Sequence, residues 1–146
     1  MDINEYISER LDPQISWYSK KSSENQKRYK QLQIAEIILA TLIPLLSAYS
    51  NVKFVAFIVG TFGAIIAIIE SVSKLYKFHE NWIQYRTTAE MLKHEKYLYL
   101  TGSYPYQQSE ETVANIFIKN IEEIISSESK SWNQLNTPVD NSKTDS

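Results

Sequence analysis

Polar and charged residues fill the chain from Met1 to Gln33 and then nearly vanish. Ile34 to Tyr49 reads IAEIILATLIPLLSAY and holds one charge, Glu36; after Ser50-Asn51-Val52-Lys53, Phe54 to Ile69 reads FVAFIVGTFGAIIAII and holds none, with Glu70 ending it. Neither stretch carries a polar stripe at helical spacing, so helices built from them are apolar on every side. The other ~110 residues, mostly polar, cannot wrap two such helices, and the pattern predicts a lipid environment. Sixteen residues span roughly 24 Å, and the flanking Leu32, Gln33, Ser71 and Val72 bring each helix close to the ~30 Å needed. Spans over 34–50 and 54–72 follow, with Tyr49, Phe54 and Tyr76 near the interfaces where aromatic rings are favoured. The competing reading is a soluble hairpin buried by oligomerisation.

Basic residues set the orientation. Lys20, Lys21, Lys27, Arg28 and Lys30 precede the first span and Lys74, Lys77 and Arg86 follow the second, whereas the hairpin turn holds only Lys53. Both termini are therefore expected on the cytoplasmic side of the membrane. Residues 1–33 contain no apolar core of a cleavable signal, so the first span would direct insertion.

Around the spans the spacing predicts long helices. Residues 2–11 form a short amphipathic helix with Ile3, Tyr6, Ile7 and Leu11 on one side, and Asp12-Pro13 reads as an N-cap and first-turn proline of a new helix. That helix meets no breaker before Pro44, inside the first span. The second runs from Val52 to Thr101 past Gly60 and Gly63, which membrane helices tolerate, and ends on a Thr101-Gly102 cap. A turn over Ser103–Gln108 leads to a third helix, capped by Ser109 with Glu110 and Glu111 at its positive end. Val113, Phe117, Ile121, Ile124 and Ile125 form its apolar face. Two seams with spacings of three and four are expected: Leu75, Phe78, Trp82, Tyr85, Ala89 and Leu92, and a more polar one through Tyr18, Ser22, Asn25, Tyr29, Leu32, Glu36 and Leu39. The fold expected is all-α: a membrane hairpin extending into an elongated cytoplasmic three-helix bundle, oligomeric, in one domain over 1–134. Its parts are N-terminal helices over 2–33, the two spans, an extension over 73–101 and a C-terminal helix over 109–134. The tail, 135–146, is expected to be disordered.

Composition narrows the chemistry. Fifteen Lys plus Arg against 17 Asp plus Glu give a net charge of −2, which argues against a general nucleic-acid binder. The absence of cysteine excludes disulfides and thiolate sites. His79, Glu80, Glu90, His94 and Glu95 lack the spacing of a di-iron or zincin site. No phosphate loop or nucleophile elbow is present. No metal, cofactor or enzymatic activity is expected.

Several residues stand out within the spans. Glu36 and Glu70 lie 15 and 19 residues from Asn51, roughly 22 and 28 Å along their helices, near the cytoplasmic boundary. Either they reach out to the headgroups, or an assembly of hairpins places them as carboxylate rings at an inner mouth, where they would favour cations. Ala56, Gly60 and Ala64, with Gly63, Ala67 and Ser71, make a small-residue face suited to close packing, within the hairpin or between protomers. Pro44 deprives the Ala40 carbonyl of its donor, which Thr41 or water could replace. Arg86 and Glu90 stand at i, i+4, a pair worth a few tenths of a kcal/mol when exposed.

The stretch WIQYRTTAEMLKHEKYLYL (82–100), with RLDPQISWYSKKSSENQKRYKQLQI before the first span and IPLLS (43–47) within it, resembles the SLATT superfamily, the SMODS- and SLOG-associating two-transmembrane effector domains. The likeness covers about residues 5–134 and is closest to stand-alone bacterial members catalogued as a domain of unknown function. Its most specific part is Tyr85, Arg86, Thr88, Ala89 and Glu90, with Trp82, Lys93 and Glu95. The resemblance implies a homo-oligomeric pore-forming effector of a bacterial antiphage or conflict system. No fused sensor is expected, so a trigger would come from a partner, such as an upstream sensor or nucleotide-signalling protein, or from assembly. A non-conducting membrane scaffold whose cytoplasmic bundle recruits partners is the alternative.

Overall fold

The computed structural model describes residues 2–49 and 51–136, and those residues form helices and turns with no strand among them. The order is α1 (Ile3–Tyr6), a wide π turn (Ile7–Leu11), α2 (Asp12–Ser47), α3 (Lys53–Tyr76), α4 (Phe78–Leu100) and α5 (Glu110–Asn136). The expected tail over 137–146 lies outside the described residues, and residues 135 and 136 close α5. The described residues divide into two compact units, one made of residues 2–22 and 83–136 and the other lying within Ser23–Trp82.

The break expected at Asp12-Pro13 does not form. Pro13 cannot donate to the Glu9 carbonyl and its ring crowds that group. The chain widens the preceding turn instead, with the Asp12 amide bonding the Ile7 carbonyl five residues back. The helix continues, and the Asp12 carboxylate, freed from capping, pairs with Lys96 at 2.6 Å.

The second long helix departs from expectation too. It is interrupted at Lys77, which adopts a left-handed conformation with φ 49°. The Lys77 amide closes α3 on the Ser73 carbonyl, and the Asn81 side chain donates to the Tyr76 carbonyl at 3.1 Å. Buried Asn81 thereby satisfies one of the acceptors that a helix end leaves open. Leu75, expected in the seam, is 76% exposed, whereas Phe78, Tyr85, Ala89 and Leu92 are buried. The left-handed residue shifts the helical phase, so positions before it do not share a stripe with those after it.

The end of α4 follows the sequence signal. Gly102, at φ 62°, lets the Ser103 amide reach the Leu98 carbonyl and the Gly102 amide reach Tyr99. That is the paired-bond glycine cap of helix C-termini. At the start of α5, the Ser109 hydroxyl donates to the Thr112 hydroxyl at 3.0 Å, and its carbonyl takes the Val113 amide.

The unit of residues 2–22 and 83–136 owns the packed core. Leu11, Leu92, Phe117 and Ile121 are fully enclosed, joined by Tyr6, Tyr18, Tyr85, Ala89, Tyr106 and Val113. Phe117 stacks on Tyr99 at 4.4 Å and meets Tyr106 edge-on at 5.8 Å, the two arrangements favoured by ring quadrupoles. The apolar face expected on the third helix is the face that packs.

The unit of Ser23–Trp82 is a helical hairpin of different character. Tyr29 packs against His79 at 4.8 Å and Trp82 at 6.4 Å, so α2 and the α3–α4 segment run antiparallel from their link between Ser47 and Lys53. Its only buried described residues are Phe78 and Asn81. The sidedness expected on the first helix is present: Asn25, Tyr29, Leu32, Glu36 and Leu39 are all half-buried.

Candidate functional site

Both long helices are long and apolar enough to cross a membrane, and no residue of the most apolar 18-residue window of either is buried. Ile37, Leu45, Phe57 and Ile68 are each more than 60% exposed. A core helix of a soluble protein would hide such side chains.

The span residues singled out by sequence take these places. Glu36 and Glu70 are half-buried, and Glu70 pairs with Lys74 one turn along at 3.2 Å. Pro44 sits inside α2 without ending it. Thr41 does not cover the Ala40 carbonyl; its hydroxyl donates to Ile37 at 2.7 Å, the usual one-turn-back bond of helical threonine. Ala56, Gly60, Gly63, Ala64 and Ala67 are all exposed, and a Cβ added at Gly60 or Gly63 would meet nothing within 4 Å. Among the described residues, the glycines thus bring no other part of the chain within contact.

The motif of α4 divides in two. Tyr85, Thr88 and Ala89 are buried, Trp82 and Glu95 are half-buried, and Arg86 and Glu90 are exposed. Glu90 pairs with Lys93 at 3.4 Å in place of the expected Arg86. The two local pairings differ by tenths of a kcal/mol, so helical spacing alone does not choose between them.

Three phenol–carboxylate contacts tie the packed unit together, two of them across separations of 116 and 110 residues. Tyr6 donates to Glu122 at 2.7 Å, while Arg10 grips the same carboxylate with Nε and Nη2, each at 3.1 Å. The Arg10 bonds hold the Glu122 carboxyl below its ordinary pKa, with burial opposing. Tyr106 donates to Glu95 and accepts from Asn120 at 3.0 Å. Burial, reinforced by Glu95, pushes the Tyr106 phenol up to about 12.

The third contact borders a cavity. Tyr18 donates to Glu128 Oε2 at 3.0 Å, while Glu128 Oε1, also buried, has no hydrogen-bond partner. Burial pushes the Glu128 carboxyl up, and the Tyr18 bond partly offsets this. Tyr85 is raised by burial and then by the Glu128 charge, with the Trp132 bond to its hydroxyl opposing. These groups, with Trp17 and Ile125, line a space of about 630 Å³. Trp17 meets Tyr18 and Tyr85 edge-on at 5.0 and 5.6 Å. Among the described residues no cluster of three or more His, Asp or Glu could hold a metal ion.

Sequence reasoning named Tyr18, Tyr85 and Ile125 as packing positions and missed Trp17, Glu128 and Trp132. The available signal was helical phase. Glu128 follows Phe117, Ile121 and Ile124 at spacings of four, three and four, so a carboxylate occupies a core position of α5.

Two helices long and apolar enough to cross a membrane, paired in a hairpin and joined in sequence to an aromatic-cored helical unit, make the described residues an all-helical fold with two candidate spans. Residues 13–114 match the family described as Protein of unknown function (DUF4231), and the chain belongs to that family. Comparison with curated proteins and with solved structures finds no match.

Proposed function

We propose that this chain is a homo-oligomeric membrane protein of the SLATT type that acts as a pore-forming effector, permeabilising the bacterial inner membrane with both termini in the cytoplasm. The observation that carries the reading is the pair of strongly apolar helix windows with no buried residue. Transfer of apolar surface from water is favourable by roughly 25 cal/mol per Å², so such helices call for acyl chains or further copies of the chain. The open surface at Gly60 and Gly63 supports close helix approach between protomers, because a Cβ added at either would meet none of the described residues within 4 Å.

One hairpin cannot enclose water, so conduction requires several. Packing through the small-residue stripe would bring copies of Glu36 and Glu70 together as rings at the inner mouth, where carboxylates favour cations. The trigger would be a sensor or signalling partner acting on the unit of residues 2–22 and 83–136. Its packed core also fits a scaffold that recruits partners without conducting.

Reconstituted protein separates the two. A pore gives discrete single-channel currents and cation flux that Glu36→Gln together with Glu70→Gln reduces. A scaffold gives no conductance, and that result would overturn the pore. Release of the chain from vesicles by alkaline carbonate, or protease tags placing its ends on opposite faces, would overturn the membrane topology as well.

A further inference from the structure

Glu128 poses a physical problem that the packing of its own unit leaves unsolved. Its side chain is buried at 8% exposure, and one oxygen is bonded while the other has no partner. Burial and, opposing it, the Tyr18 bond act on its ionisation, and Lys21, the one ammonium lining the adjoining cavity, stands over the Trp17 ring. A buried carboxylate without a counter-charge is costly, and such groups are normally paired or neutralised. Beside it lies a cavity of about 630 Å³ walled by Trp17, Tyr18, Tyr85 and Trp132. Aromatic faces attract cations, and Trp is the best of them. This wall already does so, since the Lys21 ammonium stands 5.9 Å from the Trp17 ring centre.

We propose that the cavity is a binding site for an amphipathic organic cation, an alkylammonium or guanidinium whose N–H groups meet Glu128 Oε1 while its hydrocarbon lies on the four aromatic rings. A cation supplies both the charge and the donor that the carboxylate lacks, and the volume is that of an ordinary small-molecule site. Oε1 is shielded from water, so entry requires part of the wall to turn. Trp17 and Trp132, at 46% and 39% exposure, are the least enclosed of the four rings. The site lies wholly within the unit of residues 2–22 and 83–136, so it stands whether or not the spans conduct.

The test is calorimetric titration of the full chain in nanodiscs with benzylamine, protonated at pH 7, against benzyl alcohol, which matches it in shape without the charge. Benzylamine should saturate at least tenfold more tightly than the alcohol. Glu128→Gln should weaken the amine about tenfold or more and leave the alcohol unchanged, whereas Lys21→Gln, which removes a like charge from the rim, should tighten it. The amide introduced by Glu128→Gln keeps an acceptor for Tyr18 without the buried charge, so the thermal midpoint of that variant should not fall. If it nevertheless fails to fold, Trp132→Ala, a change at a half-exposed ring, should cost a similar loss. Absence of saturation by benzylamine, equal affinity for the alcohol, or an affinity indifferent to both variants would overturn the assignment.

Discussion

Gly63 offers a test in which water and lipid predict opposite signs. It lies nine residues, about 13 Å at 1.5 Å per residue, from either end of the span 54–72. It is exposed, and an added Cβ meets none of the described residues within 4 Å, so the backbone there has room for a side chain. In water, Gly63→Lys would replace a poor helix former with a good one and gain roughly 0.5–1 kcal/mol. At the centre of a bilayer the same lysine costs about 2.5–3.5 kcal/mol on insertion scales, equivalent to about a 70- to 400-fold shift against the inserted form. The assay is membrane integration of glycosylation-tagged protein in microsomes. Gly63→Leu serves as the control, because it disturbs the small-residue stripe equally but carries no charge. Normal integration of Gly63→Lys, with a raised unfolding midpoint, would refute the lipid environment of α3.

Three further outcomes follow from the packed unit and the helix junction. Phe117→Ala should cost about 3–5 kcal/mol, because the ring is wholly enclosed and stacked on Tyr99; hydrogen exchange of α5 amides in the full chain reads the loss. Lys77→Gly should stabilise by about 0.5–1 kcal/mol by relieving the left-handed backbone, measured as a higher urea midpoint, and a valine there should do the reverse. The pH dependence has two limbs. The Tyr106 phenol, raised to about 12, contributes stability that is complete below pH 10 and is lost as pH climbs towards 12; tyrosinate absorbance during alkaline unfolding tracks it, and Tyr106→Phe should flatten that limb. Glu122, held low by Arg10, contributes stability present above the ordinary carboxylate pKa near 4.5 and lost as pH falls through its lowered value, which Arg10→Ala should remove from acid-unfolding curves.

What could be read from the chain alone was whatever depends on local period and composition. The two apolar stretches, the Thr101-Gly102 stop and the inward face of α5 each rest on residues within a few turns of one another. The half-buried series from Asn25 to Leu39 was legible for the same reason. The two helix irregularities were not. Asp12-Pro13 spells a helix start as readily as a widened turn, and Lys77 takes a conformation usually reserved for glycine or asparagine. Contacts such as Tyr6–Glu122 and Tyr18–Glu128, separated by 116 and 110 residues, exist only once the fold is formed. The Trp17–Glu128 cavity belongs with them, although a charged residue at a core position of α5 was a visible anomaly.

The widened turn before Pro13 keeps the N-terminus in register. One surplus residue is stored there, and each residue of a helix corresponds to about 100° of rotation. Were the same residues wound at ordinary pitch, everything upstream of the turn would swing by roughly that angle relative to Leu11. Tyr6 would then leave Glu122, and Ile7 would rotate out of the core it now enters. The proline that forbids an ordinary turn thus also sets the phase that latches the chain's first turn to α5.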